Sequence, residues 1–324
     1  MKFTTIFFSL ILLFCFFNEL QANCGSATCP LNNHHYLRKG WLRLALTYEY
    51  INQDQIYVGT KPSYIGALPS HHDEIQTLNQ RNILSIQYGI TDAFAIGFEI
   101  PFIHRKHSHI SEGEIETFNF SGLGDVILTG QYAFLLPSDE LAPYLSFQVG
   151  IKLPSGLTDA ISTEGEEAEI TIQPGTGSTD LILGLNYRQT IFILPTLLGE
   201  FSTLPIIFGT FYQINGKGKN DYRIGNTLLA HFGTSYQFIK QAGFLLQINA
   251  MIRDYDDVGS TEEFRQNTGG TWIFVSPGLN LKLSDEIYAY AYVQIPVYRN
   301  LHGIQQTSKM NFQFGLSASL NLIK

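Results

Sequence analysis

From Trp41 onward the apolar residues recur with a period of two, the pattern of β-strands that keep one face oily and the other wet. The segment nearest the C-terminus is the cleanest: Phe312, Phe314, Leu316, Ala318, Leu320 and Leu322 alternate with Asn311, Gln313, Gly315, Ser317, Ser319 and Asn321. Residues 144–153 repeat it, with Leu145, Phe147, Val149, Ile151 and Leu153 against Tyr144, Ser146, Gln148, Gly150 and Lys152. So do residues 244–253, where Phe244, Leu246, Ile248, Ala250 and Ile252 oppose Gln247, Asn249 and Arg253. The pattern predicts about twelve strands, over 41–51, 81–90, 93–103, 122–136, 141–153, 178–189, 198–213, 225–238, 241–253, 270–283, 286–298 and 309–322. The seventh has the poorest alternation and carries Pro205, which lacks the N–H a central strand needs.

The connections sort into two kinds. Thr91-Asp92, Pro137 to Glu140, Ile239-Lys240 and Ser284-Asp285 are short links, residues 52–80, 104–121, 154–177, 214–224, 254–269 and 299–308 form longer ones, and the mid-sized, apolar link between the sixth and seventh strands is the one exception. An even strand number with tight turns at one end and long loops at the other is the layout of an outer-membrane barrel, turns periplasmic and loops extracellular. A secreted sandwich with its apolar face inward has no reason to sort its loops this way. Strands of ten or more residues also suit a tilted membrane span, and a twelve-strand cylinder turned apolar-inside is too wide for side chains to fill. The predicted fold class is all-β, an antiparallel transmembrane β-barrel of about 12 strands, with Tyr48, Tyr50, Tyr132, Phe134, Phe238 and Tyr298 near strand ends as interfacial girdles.

Composition narrows the alternatives. The chain has 324 residues, 44% hydrophobic and 15% charged, with a formal net charge of −8. It is too apolar and aromatic for disorder, and an acidic chain without a basic tract predicts no nucleic-acid partner. Beyond the first 20 or so residues no stretch of about 18 apolar residues could cross as a helix. Residues 1–22 instead read as a secretory signal peptide: Lys2, an apolar run from Ile6 to Phe17, then a polar segment ending at Ala22, where cleavage is expected. A lipoprotein would need a small residue before the modified cysteine, and Asn23 precedes Cys24. Residues 23–40 form an N-terminal periplasmic segment and residues 41–324 the barrel. Cys24 and Cys29, close together in an oxidising compartment, most simply form a local disulfide, with free thiols or metal ligation as the alternatives.

Three stretches carry a resemblance: SGLGDVILTGQYAF at 121–134, PYLSFQVGIKLPSGLTD at 143–159 and PGTGSTDLILGLNY at 174–187. Together they resemble the MetA-pathway phenol-degradation family of outer-membrane β-barrels, in which a Gly-Leu-Gly-Asp strand, a Lys-Leu-Pro-Ser/Thr-Gly strand end and a Gly-Thr-Gly-Ser-x-Asp strand start recur in this order. ITDAFAIGFEIPF at 90–102 and QIPVYRNLHGIQ at 294–305 also look like that family. The resemblance covers about 80–324 and implies a transporter-like barrel that passes small molecules, hydrophobic or aromatic ones among them. The chain departs from the usual pattern by ending Leu322-Ile323-Lys324, where outer-membrane strands commonly end in an aromatic. Read physically, Gly122 and Gly124 let the chain bend into the wall and Pro154 with Gly156 ends a strand.

Alternation places Arg43, Glu49, Glu99, Asp125, Lys152, Asp180, Arg188, Arg253 and Lys282 on the wet face, where they either stiffen a salt-bridged lumen or select solutes. Four acids and five bases predict no strong ion selectivity. His71, His72, Asp73 and Glu74, with His104, His107 and His109, fall in two predicted loops flanking one hairpin. These donors suit zinc, copper or nickel, and the plainer reading is solvated loops. His231 and Ser235 share a face, but four residues along a strand is about 13 Å, too far for a base and its nucleophile. The sequence therefore predicts a channel or transporter without a cofactor and not an enzyme, with membrane lipids and a small-molecule solute as partners. The alternatives are a structural or metal-binding barrel without an open pore and, further off, a barrel-embedded hydrolase.

Overall fold

The computed structural model describes residues 37–67, 73–111, 113–139, 141–161, 165, 167–199, 201–261 and 265–323. The predicted signal peptide, Cys24, Cys29, His71 and His72 lie outside them. The chain folds as β1 (Trp41–Val58), β2 (Lys61–Pro62), β3 (Asp73–Gly89), β4 (Phe94–Ser111), β5 (Glu114–Leu123), β6 (Ile127–Leu135), β7 (Tyr144–Lys152) and β8 (Asp180–Pro195). It continues as β9 (Phe201–Ile214), β10 (Thr227–Ile239), β11 (Ala242–Arg253), β12 (Gly270–Lys282), β13 (Ile287–Leu301) and β14 (Ile304–Asn321). Neighbouring strands of the wall pair antiparallel in the order β1, β3, β4, β6 and on to β14, which closes on β1 from Trp41↔Asn321 upward. β5 and β6 share one place beside β4, and β2 is a two-residue hairpin on β1, so the wall has twelve strand positions. Closure removes both edges, which lipid does not tolerate.

The pattern of burial is inverted relative to a water-soluble protein. On β14, Phe312 and Phe314 are 42% and 53% exposed while Asn311 and Gln313, the residues between and before them, are 2% and 7% exposed. On β11, Phe244, Leu246 and Ile248 face out while Gln247 and Asn249 are buried. The oily face is thus the lipid face and the wet face lines the lumen, as the alternation predicts. Ring pairs mark the belt: Tyr48 on Phe314 at 4.8 Å, Tyr132 edge-on to Phe134 at 5.3 Å and Phe238 on Phe244 at 4.7 Å.

Several predicted boundaries move. Much of 52–80 and 104–121 is strand, because β1 runs on to Val58, β3 starts at Asp73, and β4 turns back as β5. The predicted loop 299–308 is a turn at His302-Gly303 between two long strands. The physical reason is common to all three: above the lipid belt a strand needs no oily outer face, so alternation fades while pairing continues. The predicted strand 122–136 is interrupted at 124–126, where the chain leaves β5 and starts β6 against the same neighbour, β4. The doubtful seventh strand exists as β9. Pro205 sits where the ladder to β10 has already stopped, at Ile206↔Thr234, so its missing N–H removes no bond there. The remaining long connections, 153–179, 215–226 and 254–269, gather at one rim.

Candidate functional site in the barrel lumen

The three motif stretches meet in one buried ion cluster at the long-loop rim. Lys152, the last residue of β7, sends its ammonium to Asp125 at 2.8 Å and to Asp180 at 2.9 Å, and all three side chains are almost wholly buried. Thr176 and Ser178 complete the lysine's shell. Asp125 accepts from the Gly156 N–H and the Thr176 N–H, both at 3.0 Å, and from the Thr176 hydroxyl at 2.7 Å. Asp180 accepts from the Ser178 hydroxyl, the Gln213 amide and the Gly216 N–H. One lysine thus satisfies two carboxylates whose remaining lone pairs bind loop backbone, which is what a buried charge requires.

The cluster pins the 153–179 connection into the mouth. Leu157, Ala160, Ala168 and Ile172 pack on Phe118 and Phe120 of β5, which share a face with Arg105 and His107 across the β4–β5 ladder. Gln173, fully buried, holds both ends of the turn by accepting from Ala160 N and donating to Ala168 O. Lys219 from the next connection donates to Thr158 O and pairs with Glu167. The motif glycines are there for closeness: a Cβ on Gly156 would stand 2.6 Å from Gly175 Cα and 2.8 Å from Gly124 Cα. Backbone on both sides cannot yield, so Gly156→Ala is expected to destabilise the folded barrel by about 1–3 kcal/mol. A lowered urea midpoint checks it.

Below the mouth the lumen has two unlike walls. On β1, β3 and β4, Arg81 pairs with Glu49 at 3.0 Å, Arg105 donates to Asn79, and Asn79 donates to Gln53 at 3.2 Å. On β11 to β13, centred about a third of a turn around the ring and separated from β1 by β14 alone, Met251, Trp272 and Phe274 form a buried cluster with Leu301, and Tyr290 and Tyr292 a second. Several rings lie on glycines of the neighbouring strand. Tyr290 lies over Gly315 and reaches the Thr47 hydroxyl at 2.8 Å, Phe211 lies over Gly184, and His231 over Gly209. A ring laid on glycine lies along the wall instead of projecting across the lumen.

Of the predicted wet-face residues, Glu49, Asp125, Lys152, Asp180 and Arg253 are buried on the inner face, and Arg43, Glu99 and Arg188 are half-buried on it. Arg43 donates to Ser319 at 3.4 Å and lies within electrostatic reach of Tyr144 and Arg188 on the far wall. Lys282 is at the short-turn rim, bound to Asp285, whose carboxyl it holds below the ordinary range. The sequence reading missed Arg81 and Arg105, and it also missed the aromatic wall. The signal was there in TWIFV, an apolar run that breaks alternation, and in YAYAY, tyrosines every second residue.

The histidines are corrected in place. His104, His107 and His109 are on β4 rather than in a loop, and period two sends His107 and His109 inward but His104 outward, beside Ser121. The three cannot meet. His107 bonds Thr77 at 2.9 Å with Glu74 at 3.6 Å, and His109 lies 3.2 Å from Glu116. Asp73 and Glu74 open β3 opposite Ile110 and His109. Among the described residues no three His, Cys, Asp or Glu side chains form a metal-sized cluster. His231 is buried and stacked on Phe211, with Ser235 farther along the same strand.

This architecture is shared with solved structures. An outer membrane channel from Pseudomonas putida F1 is 12% identical, with a TM-score of 0.64 over 91% of this chain and 100% of that one. The transport unit of the autotransporter AIDA-I from Escherichia coli is 9% identical, with a TM-score of 0.50 over 90% of this chain and 93% of that one. The chain is a twelve-stranded transmembrane β-barrel. No family model matches it, and no curated protein matches it in sequence. At such identities the likeness carries the fold, and the lumen has to carry the function.

Proposed function

We propose that the barrel is an outer-membrane channel for passive movement of small solutes, hydrophobic and aromatic ones among them. The observation that carries this is the lumen itself, an aromatic and methionine-bearing wall joined across β14 to an arginine-bearing wall beneath a mouth narrowed by an inward-folded connection. An apolar body with a polar tip finds a partner on each side. The motif likeness to the MetA-pathway phenol-degradation family supports the same solute class. Cleavage after Ala22 and a Cys24–Cys29 bridge belong to the same reading, with the short-turn rim periplasmic and the long-loop rim extracellular.

A second reading, a barrel whose lumen stays filled, is favoured by the depth of burial of Ile51, Ile103, Arg105, His107 and Phe274, each without exposed surface. Planar-bilayer conductance separates the two. Stepwise open currents that phenol reduces, and that zinc leaves unchanged, are expected for the channel. Inserted protein that never conducts would establish the filled barrel, and block by zinc alone would move weight to the histidines.

A further inference from the structure

At the short-turn end of the lumen an arginine stands without an anion. Arg43, near the start of β1, lies on the inner face with its Nε 3.4 Å from the Ser319 hydroxyl of β14, and its Nη1 is buried with no hydrogen-bond partner. The groups within its electrostatic reach are Tyr144 of β7 and Arg188 of β8, nearly opposite β1 in the wall, and no carboxylate is among them. Glu49, the acid on the same strand and face, is held by Arg81 at 3.0 Å. Other cations of the lumen have an answering group: Lys152 meets two aspartates, Arg81 meets Glu49 and Arg105 meets Asn79. Two guanidinium ions facing each other across a lumen repel, and an anion that enters between them is attracted by both.

A second group in the same condition lies just above on β8. Asn186 shares the inner face with Arg188, two residues away, and is 1% exposed. Neither its amide nitrogen nor its oxygen has a hydrogen-bond partner. Buried polar groups are paired in folded proteins, so an amide with both ends orphaned calls for a ligand atom that can donate and accept, as a hydroxyl does. Two residues along a strand span about 7 Å. That is close to the separation of the carboxylate and the hydroxyl in para-hydroxybenzoate.

The surroundings are ring-lined. On β7, Tyr144 is in register with Arg188 and Ser146 with Asn186. On the other side Asn186 is in register with Gly209 of β9, over which lies the His231 ring of β10, itself stacked on Phe211 at 5.8 Å. A fork of donors at one end, flat rings beside it and a single amide beyond are the groups that recognise a small aromatic acid. Arg43 and Arg188 reach this place on long, unbranched side chains, so a solute enters by rotating them and leaves the wall as it is.

We infer that Arg43, Arg188 and Asn186 form a binding site for a hydroxylated aromatic carboxylate, with the carboxylate between the two guanidinium groups and the hydroxyl on the Asn186 amide. This rests on the channel reading and names the solute class taken at its short-turn end. The wall of Trp272 and Phe274 offers rings and asks for no charge. The Arg43 site asks for one, and so it selects the ionised acid over the neutral phenol.

Calorimetric titration of the refolded full-length barrel at pH 7 tests the assignment. A charge-assisted contact predicts that para-hydroxybenzoate binds at least about ten-fold more tightly than phenol, and the hydroxyl that it binds about three-fold more tightly than benzoate. Arg43→Gln is expected to remove the first advantage and leave phenol binding as it was. Asn186→Leu, with neither donor nor acceptor, is expected to erase only the preference over benzoate. Gel mobility of the folded form shows that each variant is intact. Para-hydroxybenzoate that binds the wild type no better than phenol overturns the site without any variant, and so does an advantage that Arg43→Gln leaves untouched. A preference over benzoate that survives Asn186→Leu overturns the place given to the hydroxyl. In each of these cases a barrel that conducts in planar bilayers keeps the channel reading. Binding that depends on Arg43 in a barrel that never conducts keeps the site and overturns the channel.

Discussion

Lys152→Met is expected to lower the stability of the folded barrel by about 3–5 kcal/mol, because it leaves two buried carboxylates facing each other without their cation. Asp125 and Asp180 each lie within 3 Å of the ammonium, and neither side chain has more than 2% exposure from which to recruit water. A urea titration read by the mobility difference between folded and unfolded barrel on gels measures the loss. The same change should raise conductance, since Asp125 holds the Gly156 and Thr176 amides and through them the connection packed on Phe118 and Phe120. Charge and tether can be told apart. In the triple variant Lys152→Met, Asp125→Asn, Asp180→Asn the buried charges are gone, so much of the stability returns. The tether is still weakened, because a carboxylamide offers one acceptor oxygen where the carboxylate used two, so the raised conductance should persist. Stability that recovers together with wild-type conductance would mean that the loop is held by its apolar packing alone.

How far the sequence reaches depends on which physics writes the pattern. Inside the lipid belt the outer face must be oily and the lumen face wet, and the strand residues there, such as Asn311 to Leu320, are legible one by one. Above the belt that demand lapses. β1 beyond Ile51 and β4 beyond Ile103 continue as paired strands with mixed faces, and read as loops. Asp125, Lys152 and Asp180 were legible as wet-face residues, but their meeting was not, because it depends on the break at 124–126 turning Asp125 toward the end of β7. The loop histidines failed for the same reason as the loops: once 104–111 is strand, parity decides which of them face inward.

The aromatic wall gives the second large effect. Trp272→Ala is expected to raise the concentration of phenol needed for half-block while increasing the open conductance, and Phe274→Ala, at a ring with no exposed surface, to act only by loosening the Trp272 ring it packs on. Ring-on-ring contacts contribute about 0.5–1.5 kcal/mol beyond the area they bury. Losing the Trp272 ring therefore weakens solute binding roughly two- to twelve-fold. The arginine-bearing wall predicts a different outcome. Arg105→Ala removes a cation bound to Asn79 but no ring, so it should shift ion preference toward cations and leave phenol block close to wild type. If Arg105→Ala relieved block as strongly as Trp272→Ala, the solute would be held by its polar tip, and the division of labour between the two walls would have to be redrawn.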